Sequence, residues 1–255
     1  MTTVPMAALL ELAATQSGFD IDLSAPTEWM GFASTHAPLK VWLRTGAAGE
    51  LVAALSMRNV EAALATEGVG KAATVVLPPG AVGARRVADR PALQEMLRRA
   101  RQLSRTLPDE LLHAFVKKTA AMPRTTEAER LVVQRVGQDI FRNGLLEYWE
   151  GRCAVTGMAV RELLRASHIK PWADCATDAE RLDVYNGFLL EARVDALFDQ
   201  GFVTVDDEGG VVVSSELGAE ARQVLGLDGT QRVRRIEAGH RGYLGWHRGR
   251  VFRGA

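Results

Sequence analysis

Two cysteines are all the chain offers, Cys153 and Cys175. They are too few for a disulfide framework and suit a reducing, cytoplasmic setting. Two thiols cannot complete a four-cysteine zinc knuckle either. No apolar run approaches the roughly 18 residues of a membrane span, and the opening MTTVPMAALLELAATQSG has no basic stretch ahead of its apolar part. Both facts argue against a membrane span or a signal peptide. Formal charge is zero, 31 basic against 31 acidic residues, so global charge gives no sign of nucleic acid and any binding surface must be local. Internal repeats and low-complexity tracts are lacking too.

What is present fits one large or two small domains in 255 residues. Residues 6–14 read as a short helix. Residues 39–44 and 51–55 flank a Gly-containing loop at 45–49 and read as a hairpin. Residues 58–66 are helix-like and stop at Gly68 and Gly70, and residues 72–77 read as a strand stopped by Pro78 and Pro79. The mix predicts a small α+β module over 1–122. His36 and Trp29 carry no site there, since a lone His or Trp in such a region is usually packing or surface.

The first compositional shift is at 85–105, with seven arginines against Asp89 and Glu95. Leu93, Met96, Leu97, Ala100 and Leu103 form one apolar helical stripe. Arg98, Arg99 and Arg101 fall off it and are expected to face solvent or a partner, either as a solvated face or as a phosphate-contacting surface. Residues 109–119 give another amphipathic helix and 120–124 a linker. Thr126 and Glu129 then have capping-box spacing, opening a long helix to about Trp149. Arg142 on that helix is a candidate phosphate contact, the alternative being surface charge.

Further on, three residues are spaced like a small hydrolytic site. His168 ends an apolar run over 163–169 that reads as a strand, Asn186-Gly187 marks a turn, and Asp195 lies on a short helical pattern with Val194, Leu197 and Phe198. An imidazole can take a proton from water, and a carboxylate oxygen is a hard ligand for a divalent cation. That pairing is the minimum for metal-assisted phosphodiester hydrolysis. Lys170 and Arg193 are candidate phosphate clamps by charge and position. Cys153 reads as a small buried residue. Asp206, Asp207 and Glu208 lack EF-hand spacing and read as the turn of a hairpin over 201–205 and 211–214. The basic tail from Arg232, with Tyr243 and Trp246 interleaved, suits either docking on the core or a DNA groove.

Four ordered blocks carry a resemblance: Cys-x-x-Thr-Gly at 153–157, Ala-Ser-His-Ile-Lys-Pro-Trp at 166–172, Asn-Gly-Phe-Leu-Leu at 186–190 and Ala-Leu-Phe-Asp at 196–199. Residues 152–207 resemble an HNH endonuclease of the ββα-metal (His-Me finger) type, and the likeness extends over roughly the last half of the chain. It implies a C-terminal nuclease domain over 126–255, DNA as partner, a divalent metal (Mg²⁺ or Mn²⁺), and products bearing a 5′-phosphate. It makes His168 the general base, Asn186 the residue fixing the loop that orients it, and Asp195 a metal ligand. Two departures stand out. Ser167 occupies a ligand position usually held by Asp or His, and Asp195 stands where the third letter of the motif is His. The resemblance suggests bacterial defence, as a restriction or modification-dependent nuclease, with the first domain choosing targets or sensing a ligand. A DNA-binding module with a weakened core is the other reading. The sequence allows a homodimer.

Overall fold

A computed structural model describes residues 5–46 and 49–254. Ala47 and Ala48 of the expected hairpin loop lie outside the described residues. The chain divides into two compact units, Met1–Leu107 and Pro108–Ala255.

The first unit holds α1 (Met6–Gln16), β1 (Ile21–Leu23), β2 (Met30–Ser34), β3 (Ala37–Thr45), β4 (Leu51–Leu55), α2 (Arg58–Thr66), β5 (Lys71–Ala72), β6 (Gly83–Val87) and α3 (Arg90–Thr106). The strands form one antiparallel sheet in the order β1-β2-β3-β4-β6-β5. All five β4 residues are buried, as expected for an apolar run covered on both faces. α3 packs on β3, β4 and β6 and against α1 and α2. Trp29, Trp42, Val52, Ala54 and Ala84 form a second layer of core, with Ala73 and Val75 laid against it.

Two expectations fail here. The strand expected at 72–77 pairs only at Lys71 and Ala72, and Val76 is 86% exposed. Ala73 N still donates to Ala84 O of β6 (2.9 Å), and beyond it Val75 lies against the tryptophan layer. The strand that flanks β4 is β6, hidden in the sequence by its two arginines. Arg85 is nonetheless buried, because its guanidinium donates to Glu61 Oε1 (3.0 Å) and to the carbonyls of Val69 (2.6 Å) and Gly70 (2.8 Å). Arg99, expected to face outward, is 7% exposed and forks onto both carboxylate oxygens of Glu67 at 2.7 and 2.5 Å. Arg101 is half-buried over Gly18. Of the three arginines, Arg98 alone lies open.

The second unit holds α4 (Pro108–Thr119), α5 (Glu127–Tyr148), β7 (Leu164–His168), α6 (Asp178–Arg181), β8 (Gly187–Glu191), α7 (Ala192–Asp199), β9 (Val203–Val205), β10 (Val211–Val213), α8 (Ala219–Leu225) and α9 (Ala238–Arg250). α5 opens with the expected capping box from Thr126 and Glu129. α4 falls within the span expected for the first module, yet it packs on α5. Its Leu111 and Phe115, one turn apart on one face, sit over Gly144 and Gly137 of α5. A Cβ at either glycine would fall within 2.6 Å of a neighbour, Leu111 at Gly144 and Trp172 at Gly137. The basic tail folds as α9, which docks on the core by burying His240, Leu244 and His247 and leaves Arg241 and Arg250 exposed. Among the described residues no helix is long and apolar enough to cross a membrane.

Candidate active site

β7 and β8 form a two-stranded antiparallel ribbon in which His168 lies opposite Gly187 and Ser167 opposite Phe188. The turn expected at Asn186-Gly187 is a single tight helical turn over Val184–Asn186, and β8 starts at Gly187. Its four-residue buried run from Gly187 to Leu190 is covered on both sides, by α5 and by α7. The 152–157 turn leads into no paired strand; Ala154 N donates to Leu189 O instead (2.7 Å).

The His168 imidazole lies flat on Phe141 of α5, with ring centroids 3.8 Å apart and planes 16° off parallel. Trp172 meets it edge-on at 5.7 Å. Its Nε2 lies 2.9 Å from the carbonyl oxygen of Arg181. A carbonyl only accepts, so in the neutral ring Nε2 carries the proton and Nδ1 keeps the lone pair. Burial pushes this histidine down to about 4, with the carbonyl contact working upward. At neutral pH it is therefore uncharged, the form that can take a proton.

Asn186 is fully buried and staples the loop that follows His168. Its Oδ1 accepts from Lys170 N (2.8 Å), and its Nδ2 donates to Lys170 O (3.1 Å) and Glu180 O (3.1 Å). Glu180 neighbours Arg181, so the same amide fixes the carbonyl that holds His168. Trp172 packs its edge into the notch at Gly137 of α5.

α7 presents two carboxylates, Asp195 and Asp199, four residues apart and hence on one face. With Ser167, His168, Trp172 and Arg165 they line a cavity of about 450 Å³. Ser167 Oγ donates to Asp199 Oδ1 at 3.2 Å. Burial raises both carboxyls above the usual range, and the charge of Asp195 adds to the rise at Asp199. Two like charges in a part-buried niche ask for a cation. The donors are hard oxygens, and among the described residues no third His, Cys, Asp or Glu completes a cluster. Such a set fits a hard divalent cation that keeps several of its own waters. Asp199 is the residue that sequence reasoning missed. It closes the Ala-Leu-Phe-Asp block, and its helical spacing from Asp195 was the available signal.

The basic candidates fare differently. Lys170 Nζ is paired with Glu180 at 2.9 Å, and Arg142 donates to the carbonyls of Leu164 (2.9 Å) and Arg161 (3.3 Å). Both are committed to holding the frame. Arg193 is half exposed and pairs with Glu191 at 3.1 Å, away from the lining of the cavity. His247 lines the cavity but is spoken for on both nitrogens, by Thr204 Oγ1 (2.9 Å) and Phe198 O (3.1 Å).

No curated protein matches the chain. Residues 153–206 match the model of a family described as HNH endonuclease. That span contains the ribbon, the Asn186 staple and α7, and it lies within the second unit, so the likeness to an HNH endonuclease falls on the segment that builds the cavity.

Proposed function

We propose that the protein is a metal-dependent endonuclease that hydrolyses DNA phosphodiester bonds. The observation that carries this reading is one cavity walled by a neutral, carbonyl-anchored His168 and by the Asp195–Asp199 pair. His168 Nδ1 takes a proton from the attacking water. Asn186 and Phe141 hold the ring in place, one through the loop and one by stacking. Asp195, Asp199 and Ser167 would hold a divalent cation, which supplies charge stabilisation at the phosphate and the leaving oxygen.

The biological setting we propose, bacterial defence by restriction, follows from the resemblance of the motifs alone. Within it the first unit selects the target or senses a signal. The internal pairing of Arg85 on β6 and Arg99 on α3 takes both away from any DNA surface, which weighs toward the sensing role, while Arg98 on α3 stays open. The test is nicking of supercoiled plasmid by the full chain with Mg²⁺, with Mn²⁺ and with chelator, alongside His168→Ala, on DNA from modified and unmodified sources. Metal-dependent nicking lost in His168→Ala is the expected result. Nicking that survives chelation, or that His168→Ala performs equally well, would overturn the reading.

A further inference from the structure

Among the described residues lining the catalytic cavity, Arg165 is the single permanent cation. It stands on β7 two residues before Ser167, so the two side chains share the strand face that looks toward α7. Two strand steps span about 7 Å, which a guanidinium on its three-carbon stem covers with ease. Arg165 is exposed, and no acid pairs with it among the described residues. Its Nη1 donates to two backbone carbonyls, Glu162 O (3.0 Å) and Leu164 O (3.2 Å). These bonds fix the base of the fork, and among the described residues Nε and Nη2 have no acceptor. Three neighbouring cations are already used: Lys170 on Glu180, Arg142 on two carbonyls, and Arg181 on Trp172 O, Asp178 and Cys175 O.

The charge balance of the cavity needs such a group. Asp195 and Asp199 present two negative charges to a substrate that is itself an anion at every phosphate. A cation between the carboxylates offsets them but adds little surplus. We propose that Arg165 grips the phosphate being cleaved, its anchored guanidinium meeting the non-bridging oxygens with the edge that the protein leaves open. Arginine suits this task better than lysine, because a planar fork meets two phosphate oxygens at once. The proposal rests on the nuclease reading above and names the substrate contact within the same site.

The test uses the full chain with Arg165→Ala and Arg165→Lys. Arg165→Ala should lower kcat/KM for plasmid nicking by about 10²-fold, the scale seen when one anion-stabilising donor is removed, with an unchanged melting temperature. Arg165→Lys should recover only part of that loss. A residue that merely tunes Asp195 would instead raise the Mn²⁺ requirement, so full rescue of Arg165→Ala at raised Mn²⁺ would overturn the proposal. So would a wild-type kcat/KM, or a rate loss matched by a fall in melting temperature. A second arm measures binding of a short duplex at several salt concentrations in a His168→Ala background. Adding Arg165→Ala there should flatten the salt slope by about one unit, as expected when the protein neutralises one phosphate fewer. Should the wild-type chain fail to nick DNA, the nuclease reading falls, and this binding arm decides Arg165 by itself: an unchanged slope overturns it.

Discussion

Gly187→Ala adds one methyl group to the protein, and it should slow the reaction without touching any group that meets the substrate. The new Cβ would lie 2.4 Å from Phe141 Cζ and 2.9 Å from Leu145 Cδ1, where carbon atoms normally rest about 3.5–4.0 Å apart. Phe141 must therefore shift by about 1 Å or the ribbon must part from α5. Phe141 is 1% exposed, so close packing leaves it no empty space to enter. The His168 ring is stacked on it, so the displacement passes to the base. Overpacking of this kind costs about 1–3 kcal/mol, while replacing Gly returns about 0.4–1 kcal/mol through the unfolded chain. The net loss is about 0–2.6 kcal/mol, read as roughly 2–4 °C of melting temperature per kcal/mol in a unit of this size. Misplacing a catalytic group by about 1 Å can cost on the order of 10²-fold in rate.

The assay pairs a thermal melt with the nicking rate at saturating metal, for Gly187→Ala, Phe141→Leu and the double variant. Leucine lacks the Cζ atom that clashes, so the double variant should regain stability, with a coupling of about 0.5–3 kcal/mol between the two sites. It should not regain rate, because the flat platform under His168 is gone. Wild-type melting and wild-type rate in Gly187→Ala would refute the packing argument. Wild-type rate in Phe141→Leu would refute the platform.

His168→Ala should lose about 10²–10⁴-fold in rate while duplex binding persists, which a binding isotherm checks. Asp195→Ala and Asp199→Ala should each demand more Mn²⁺ for half-maximal nicking, and Asp195→His should retain some activity; an Asp199→Ala titration that overlays wild type would remove that ligand. Asp183, half-buried and held by Tyr185 N and Tyr243 Oη, has its carboxyl pushed up to about 6 by desolvation. The folded state thus binds the proton more tightly than the unfolded one, whose value is near 3.8, so this group's contribution is fully present below about pH 4 and is lost as pH rises through about 6. Asp183→Asn should erase that window, with the wild-type-minus-variant stability falling by about 3 kcal/mol between about pH 4 and 7; a difference that does not vary with pH would contradict it. Arg99→Ala should destabilise the first unit by about 3–5 kcal/mol by stranding buried Glu67, whereas Arg98→Ala should leave its melting unchanged.

The parts of the site legible in the sequence are those whose chemistry and order lie close together in the chain. His168, Asn186 and Asp195 announce themselves through residue type and spacing, and helix α5 through its capping box. Phe141 is not legible, because nothing local to a phenylalanine on α5 says that a histidine more than twenty residues later will lie on it. The arginines mislead for the same reason. An apolar stripe tells which side of α3 faces the core, yet Arg99 is buried beside that stripe by Glu67, supplied from just past the end of α2. Arg85 likewise depends on Glu61. The strand β8 hides behind Asn186-Gly187, ordinarily a turn signal, whereas here the amide is consumed as an internal staple and the glycine admits Phe141 and Leu145.

The division between Leu107 and Pro108 sets what can be transplanted as a cutting part. The recognisable motif is short, but Leu111 and Phe115 of α4 fill notches in α5, and Trp172 on the cavity wall shares one of them. A graft cut at the motif would arrive without the surface that seats the wall of its own cavity. Cut at Pro108, it keeps α4 and α5 together. Proline is at home in the first turn of a helix, where its missing N–H goes unused, so the piece brings its own beginning whatever is spliced ahead of it. Recombination upstream of that codon would leave α4, α5 and the wall of the cavity on one piece.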